Sequence, residues 1–234
     1  MTARSTGLPP LHLLLALGVT AVWGSNFVVI KYGLAHLPPF TLALLRFALA
    51  FFPLALFLPR PKVGWGNLAF YGVAIGAGQF GFLFTAMRAD ITPGLASLVV
   101  QAQVFFTIGL AAWLGGERPA VVQLVALLLA SAGIGVIALH TDGSATPLGL
   151  ALVLAAAASW ACGNMASRAA GPVNMLAYVA WSSLFAVPPL AILALVLDGP
   201  ERMLAGVAAA DSLTWGAVLW QTIGNTLFGY GAWG

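Results

Sequence analysis

Eight apolar blocks of about 20 residues divide the chain between Pro10 and Gly234, and the charged residues collect in the short gaps between them. Each block is long enough to cross about 30 Å of hydrocarbon as a helix. In hydrocarbon every backbone N–H and C=O must be paired within the protein, which favours bundled helices. Charged residues make up only 6% of the chain, too few to cover the surface of a soluble domain. The sequence therefore predicts an all-α polytopic membrane protein embedded in the lipid bilayer.

The blocks predict eight transmembrane helices, and prolines lie at or near most of their ends. The predicted spans are 11–32, 39–58, 65–87, 92–114, 120–139, 147–168, 173–197 and 213–234. Pro53, Pro188 and Pro189 fall inside spans and predict kinks. The longest polar interval, at about 198–212, is too short to bury a core of its own, so we expect almost no extramembrane structure.

The distribution of Lys and Arg predicts a cytoplasmic N-terminus. That orientation places more basic residues on the inner side than on the outer side, with Arg46 left inside the membrane. The inner residues are Arg4, Arg60, Lys62, Arg118 and Arg168, and the outer residues are Lys31, Arg88 and Arg202. Most of the acidic residues, Asp198 among them, fall on the outer side in this orientation.

Three short strings in the first part of the chain recur in the same order in the second part. Trp23 to Asn26 is echoed by Trp160 to Asn164, Pro53 by Pro188, and Phe80 to Phe82 by Phe228 to Tyr230. Five helices separate the copies, and because five is odd the two copies cross the membrane in opposite directions, as in the inverted repeats of secondary transporters. The sequence therefore predicts a five-helix repeat over 1–140 and a second, incomplete repeat over 141–234.

Polar side chains inside the spans are the candidates for a binding site, because they are costly in hydrocarbon and usually face a cavity or the bundle interior. Asn26 and Asn164 occupy equivalent depths beside Trp23 and Trp160. This arrangement fits a substrate pocket with indole walls and amide hydrogen-bonding groups. The alternative is that both asparagines bond between helices, and the sequence leaves the two interpretations open.

Arg46, Gln101 and Trp181 are candidates to complete that pocket. Arg46 lies well inside span 2, where it either lines water and attracts a carboxylate or snorkels to pair with a helix end or a lipid headgroup. Gln101 and Gln103 point about 200° apart on a helix, and we expect Gln101 at the cavity and Gln103 in helix contacts. Trp181 lies opposite the second-repeat pair and would complete the wall.

Signals for other classes of protein are missing. The nine Lys and Arg are scattered singly, so no patch for nucleic acid is expected. A single cysteine, Cys162, forms no disulfide or thiolate cluster, and the three histidines lack metal-ligand spacing. No catalytic motif is present, so we expect no enzyme activity, no cofactor and no metal. No acidic residue lies deep in a span, which removes the usual carboxylate proton relay.

The combination of these strings resembles the EamA branch of the drug/metabolite transporter superfamily. The matching strings are Val22 to Lys31, Leu45 to Phe47, Gly94 to Gln103, Gly116 to Arg118 and Ser159 to Asn164. The resemblance covers nearly the whole chain. It implies an inner-membrane exporter of small amino-acid metabolites of the cysteine or O-acetylserine kind, built from ten helices in two inverted repeats around a central cavity.

Together the residues and the resemblance lead us to expect export of a small zwitterionic metabolite by alternating access. The family plan maps onto spans 1 to 8 and leaves two helices of the second repeat without a counterpart. The alternative is a non-transporting truncated membrane protein, or a half-assembly that needs a partner to supply the missing helices. Self-association in a homo-oligomer stays open.

Overall fold

The structure is a computed structural model that describes residues 9–88, 90–139 and 145–233. Nine helices occur within those residues. They are α1 (Pro10–Gly33), α2 (Pro39–Phe57), α3 (Trp65–Met87), α4 (Pro93–Gly115), α5 (Val121–Leu139), α6 (Pro147–Ala170), α7 (Met175–Asp198), α8 (Pro200–Ala209) and α9 (Ser212–Trp233). The predicted boundary between the repeats, at 140/141, the predicted end of the eighth span and Arg4 lie outside the described residues.

Prolines and polar side chains mark where the helices begin. α1, α2, α4, α6 and α8 carry proline in their first turn, where the missing N–H costs no helical hydrogen bond. The side chains of Thr146, Asn174 and Asp211 cap α6, α7 and α9, each accepting from a backbone N–H three residues on. The backbone N–H of Thr214 holds the pKa of Asp211, which lies between α8 and α9, below its ordinary value.

Six of these helices, α1 to α4, α6 and α7, are long and apolar enough to cross a membrane. α8 and α9 pass the same test together but are bent by 108°. α5 qualifies only as a shorter apolar helix, Val121–Val136. The all-α, multi-pass class is therefore confirmed, whereas eight crossings and the repeat arrangement stay predictions.

Several helices contain breaks or π-helical stretches. α2 breaks at Phe52 and Pro53, where the backbone of Phe52 is extended, as the proline predicts. α7, in contrast, continues as a helix through Pro188 and Pro189. π-helical stretches occupy Val73–Gln79 of α3, Ala194–Asp198 of α7 and Trp220–Tyr230 of α9. Such stretches are frequent at functional sites because they rotate the following side chains relative to an α-helix.

The interval between predicted spans 7 and 8 contains α8, a helix that the sequence interpretation did not anticipate. Gly206 of α8 lies against the loop before α2, where a β-carbon would be 2.7 Å from the His36 carbonyl oxygen and 2.8 Å from Pro38 Cδ. Asp198 becomes the last residue of α7 and is buried. We call the end of the bundle that carries the loop 34–38 and the helix α8 the Asp198 end, and the end that carries the loops 58–64, 116–120 and 171–174 the Glu117 end.

α2 and α7 pack against each other at the centre of the bundle, α3 packs on α6 and α7, and α9 packs on α1 and α2. Gly72 and Gly76 let α3 lie directly against α7. A β-carbon at Gly72 would overlap the carbonyl oxygen of Ser182, and one at Gly76 would overlap the β-carbon of Ala186. Small residues at these positions allow the close backbone approach that membrane helices use in place of hydrophobic burial.

Gly72→Ala is expected to lower the free energy of unfolding by about 1–3 kcal/mol, because the new methyl must push the α7 backbone away. Gly66→Ala, on the same helix, is the matched control, since a β-carbon there meets nothing within 4 Å. Thermal unfolding of the two purified variants in detergent measures the difference. Equal stability of the two variants would contradict the close α3–α7 contact.

Candidate functional site

A small cavity of about 50 Å³ lies near the middle of the bundle. It is enclosed by side chains of α1, α3, α4, α6 and α9, and we call it the central cavity. Its lining consists of Trp23, Asn26, Phe27, Gln79, Phe80, Leu83, Val100, Gln101, Trp160, Asn225 and Tyr230. This volume holds no more than a few water molecules, so a solute can enter only if the surrounding helices move apart.

Aromatic rings form one wall of the central cavity. The ring centroids of Trp23 and Trp160 are 5.3 Å apart in a T-shaped contact, and Tyr230 lies 5.5 Å from Trp23 and 6.2 Å from Trp160. Edge-to-face contacts of this kind favour a fixed ring arrangement. The indole Nε1–H of Trp160 is buried and has no hydrogen-bond partner among the described residues. The cavity wall therefore contains an unsatisfied hydrogen-bond donor.

An amide cluster also borders the central cavity. Asn26 Oδ1 accepts a hydrogen bond from Gln221 Nε2 at 2.6 Å and another from Asn225 Nδ2. Asn225 also donates to Gln221 Oε1 at 3.1 Å. The π-helical stretch of α9 brings both partners to the same helix, α1. All three side chains are buried, so the cluster positions Asn26 firmly at the edge of the cavity.

Arg46 lies behind the cavity wall and is only 2% exposed. Its Nε–H donates to Thr226 Oγ1 at 2.5 Å and its Nη1–H donates to Gln221 Oε1 at 3.1 Å. The guanidinium lies over the ring of Phe80, 4.2 Å from the centroid, and Phe80 lines the cavity. Nη2 is buried without a hydrogen-bond partner, and among the described residues no acidic side chain lies within ion-pair distance of Arg46. A buried cation without a counter-ion is costly and marks a functional candidate.

A larger cavity of about 690 Å³ opens at the Glu117 end between α4 and α6, and we call it the vestibule. Deep in it, Asn164 Nδ2 donates to Gln103 Oε1 at 3.2 Å and to Thr107 Oγ1 at 3.1 Å. Nearer the loops, Arg168 donates to Glu117, and this hydrogen bond holds the pKa of Glu117 below its ordinary value. Because both side chains are exposed, the pair contributes little to stability.

The two cavities follow one another along the same helices. On α6, Trp160 of the central cavity and Asn164 of the vestibule are one helical turn apart. On α9, Tyr230 lines the central cavity and Trp233 lines the vestibule. The ring of Trp23 lies 5.4 Å from that of Trp233 and 5.3 Å from that of Trp160. Trp23 therefore lies between the two cavities.

The structure brings together part of the pocket that the sequence predicted. Trp23, Asn26, Gln101 and Trp160 line the central cavity. Arg46 contacts it through Phe80 and through the amide cluster.

Two predicted residues lie elsewhere. Asn164 lines the vestibule, in company with Gln103, which was expected to serve helix contacts alone. Trp181 lies at the Glu117 end, where its Nε1–H donates to the carbonyl of Leu58 at 3.0 Å and its ring contacts Phe51 and Trp65. Trp181 is thus separated from the central cavity because it holds the broken end of α2.

Sequence reasoning missed the side chains that α9 contributes. Gln221, Asn225 and Thr226 bond Asn26 and Arg46, yet none of them was singled out. A signal was present, because Gln221 and Asn225 are four residues apart in an otherwise apolar block and so share a helix face.

No three His, Cys, Asp or Glu side chains in the part of the chain that the structure describes lie close enough to hold a metal ion. The central cavity offers amides, a hydroxyl, indoles and, behind its wall, one buried guanidinium, and the vestibule adds the exposed Glu117 and Arg168. Such groups bind a polar solute reversibly.

Comparison with known proteins gives concordant matches. The model of the EamA-like transporter family matches residues 10–139. The "Probable amino-acid metabolite efflux pump" of Escherichia coli (strain K12) is 44% identical over 229 residues, which cover 94% of this chain and 76% of that protein. The protein of the same description from Salmonella typhimurium is 42% identical over 226 residues. An "Uncharacterized inner membrane transporter" of Escherichia coli (strain K12) is 29% identical over 219 residues, which cover 65% of its length. No solved structure matches this chain.

The family match and the relatives agree with the apolar helices and with cavities lined by polar groups. They indicate a membrane transporter rather than an enzyme. The chain belongs to the EamA-like transporter family.

Proposed function

We propose that this protein is a secondary transporter that exports small zwitterionic amino-acid metabolites, of the cysteine or O-acetylserine kind, across the inner membrane by alternating access. The observation that carries the proposal is the central cavity, where an indole donor without a partner among the described residues, amides and aromatic rings meet, with the buried Arg46 behind the wall. The description of the 44% identical relative as an amino-acid metabolite efflux pump supports the substrate class.

The chemistry of the cavity fits a zwitterion. Arg46 Nη2 and Trp160 Nε1 are buried donors without partners in the described ranges, and a carboxylate is the acceptor that satisfies both kinds of group. The rings of Trp23, Trp160 and Tyr230 offer π faces to an ammonium group. Asn26 and Gln101 supply further polar contacts. We therefore propose these residues as the substrate site, with Asn164 and Gln103 as polar groups on the path through the vestibule.

The packing supports an inverted repeat with halves at 1–140 and 141–234. In such a repeat, α1, α2 and α3 of the first half correspond to α6, α7 and α9 of the second half. The contact of α1 with α9 then has its counterpart in the contact of α6 with α3, and both contacts occur. The same exchange maps the α2–α7 pair onto itself. α3 and α9 each carry a π-helical stretch, Val73–Gln79 and Trp220–Tyr230, at the central cavity. A transporter of this plan moves one half against the other around a fixed site.

The Glu117 end is proposed to face the cytoplasm. It carries Arg60, Lys62, Arg118 and Arg168, whereas the Asp198 end carries Lys31, Arg88 and Arg202, and the basic side is cytoplasmic in most membrane proteins. The vestibule then opens inward, as expected for an exporter that admits substrate from the cytoplasm. The apolar side chains exposed on α1 and α5 fit contact with lipid, so they do not in themselves require a partner chain.

Counterflow of radiolabelled cysteine in proteoliposomes tests the proposal. We expect exchange by the wild type above that of empty liposomes. Asn26→Leu should lower it about tenfold or more, because the change removes a substrate contact, leaves the Gln221 amide without its acceptor and takes one of the two acceptors of Asn225. Asn164→Leu should have a smaller effect, since Gln103 and Thr107 keep a bond to each other at 3.3 Å.

Size-exclusion profiles of the purified variants check that both fold. Full exchange by the variant in which Asn26 and Asn164 are both leucine would refute the site. Absence of exchange by the wild type for every small zwitterionic amino acid would refute the function.

A further inference from the structure

Asp198, at the end of α7, is the one acidic side chain among the described residues that is buried, with 3% exposed. Its Oδ2 accepts a hydrogen bond from the backbone N–H of Thr41 at 2.8 Å and another from the Thr41 hydroxyl at 3.0 Å. Its Oδ1 is buried and has no hydrogen-bond partner in the part of the chain that the structure describes. One carboxylate oxygen is therefore fully used and the other is free.

The bonds from Thr41 tie α7 to the first turn of α2. The N–H of Thr41 is one of the first-turn groups of α2 that have no partner within the helix, and the positive end of the helix dipole lies there. An ionised carboxylate is the preferred ligand for such an end, and its hydrogen bonds are about twice as strong as those of a neutral acceptor. The ionised form of Asp198 therefore clamps the two helices together.

The α2–α7 pair is held differently at its two ends. At the Glu117 end, the indole Nε1–H of Trp181 donates to the carbonyl of Leu58, and neither group changes its protonation in water. At the Asp198 end the clamp depends on a carboxylate. A change in proton concentration can therefore weaken one end of this central pair and leave the other unchanged.

We propose that Asp198 is a proton-binding site whose occupancy opens the Asp198 end of the bundle. A proton that binds Oδ1 forms one O–H bond and neutralises the carboxylate, so Oδ2 becomes a weaker acceptor and α7 separates from the start of α2. The inference rests on the proposed function only in that this opening would release substrate. A proton needs only one lone pair, whereas a metal cation needs several oxygen ligands. No group of three His, Cys, Asp or Glu that could hold a metal ion occurs in the described residues, so the site favours a proton.

The charged and titratable groups around Asp198 are otherwise engaged. Arg88 donates from Nη2 to the carbonyl of Leu197 at 2.8 Å. His36, in the loop before α2, has its Nδ1 2.8 Å from the Thr214 hydroxyl. No charged side chain in the described ranges lies within ion-pair distance of Asp198. The remaining charged groups on the elements packed against the end of α7 are Arg46 of α2 and Glu201 and Arg202 of α8.

Spin labels on the full chain test the proposal directly. Ala35→Cys, beside the start of α2, and Val196→Cys, on α7, are exposed positions, and Cys162→Ala removes the single native cysteine. Pulsed dipolar spectroscopy then measures the distance between the labels in proteoliposomes at alkaline and acidic pH. In the wild-type background we expect the long-distance population to grow about tenfold on acidification, because a charge-assisted bond becomes a neutral one.

Variants identify the group that responds. Asp198→Asn mimics the protonated form and should give the long distance at both pH values. Glu201→Gln and His36→Gln are matched controls at the same end, and both should keep the wild-type response. If Asp198→Asn does not fold, Thr41→Val removes one donor to Oδ2 and should enlarge the long-distance population already at alkaline pH, because the clamp keeps only one of its two bonds.

The proposal is overturned if the wild-type distance does not change with pH, or if it responds to sodium in place of protons. It is also overturned if the response survives in Asp198→Asn, is unchanged in Thr41→Val or is lost in His36→Gln. Cysteine counterflow in the same vesicles separates the two proposals. Exchange without a pH-dependent distance would refute the proton site alone. A pH-dependent distance without any exchange would refute the exporter and leave the proton site standing.

Discussion

Replacing Arg46 with methionine should abolish recognition of carboxylate substrates and leave the fold intact. The guanidinium is buried with no acidic partner among the described residues, so its removal relieves a desolvation cost and breaks no ion pair. A methionine of similar length can occupy the same space against Phe80. Deleting a buried charge usually costs stability because its counter-ion is left unpaired, and Arg46 has no such counter-ion among the described residues.

The hydrogen-bond partners of Arg46 also remain satisfied in this variant. Thr226 Oγ1 still donates to the Gln221 carbonyl at 2.9 Å, and Gln221 Oε1 still accepts from Asn225 at 3.1 Å. A group that exists only to support structure would behave in the opposite way, since its removal would cost several kcal/mol. Stability and transport are therefore expected to separate in Arg46→Met.

Two measurements make this prediction decisive. The melting temperature of Arg46→Met should equal or exceed that of the wild type, while cysteine counterflow should fall about a hundredfold, the effect of losing charged hydrogen bonds to the carboxylate. Arg60→Met, which removes an arginine that lies over Trp65 at the Glu117 end, should leave counterflow unchanged. Cysteine ethyl ester, which lacks the carboxylate, should bind wild type and variant alike. A lower melting temperature with normal counterflow would assign Arg46 to the structure.

The helices could be predicted from the sequence because their determinants are local. The predicted and observed ends of α1, α2, α4 and α6 agree within two residues, since proline in the first turn and the length of the apolar block set them independently of packing. α8 escaped prediction because a short helix in a polar interval has no such block. The burial of Asp198 depends on α2, which is distant in sequence.

The site was only partly predictable, because side-chain direction depends on helix phase. Trp23 and Asn26 are three residues apart, whereas Trp160 and Asn164 are four apart. One extra residue rotates a side chain by about 100° around the helix axis. The same pair of residue types therefore faces one cavity on α1 and two different cavities on α6.

The polar side chains of α9 were overlooked for a different reason. The spacing of Gln221 and Asn225 predicts a shared face, but it does not say which helix that face meets. Their contact with Asn26 depends on α1, which is distant in sequence. Trp181 shows the converse, since its depth suggested a pocket but its indole supports the end of α2 at the break near Pro53.

Trp23→Ala should connect the central cavity with the vestibule and relax the size limit on substrates. The Trp23 ring contacts Trp160 and Trp233, one on each side, and it also fills the space that Gly229 leaves open. Removing an indole from a fully buried site costs about 3–5 kcal/mol, and the half-buried position of Trp23 should keep the loss of stability below that range. The space that appears lies between the cavities, where a bulkier side chain of the substrate can fit.

Counterflow of a size series in proteoliposomes measures this change. The wild type is expected to exchange cysteine and serine and to reject leucine and phenylalanine. Trp23→Ala should exchange leucine at a rate within about tenfold of the rate for cysteine, because hydrophobic pockets discriminate between side chains on that scale. Trp113→Ala is the matched control, because Trp113 is 79% exposed on α4 and lines neither cavity. If Trp23→Ala rejected leucine as strongly as the wild type, the partition between the cavities would have to be formed by the neighbouring rings of Trp160 and Tyr230 rather than by Trp23.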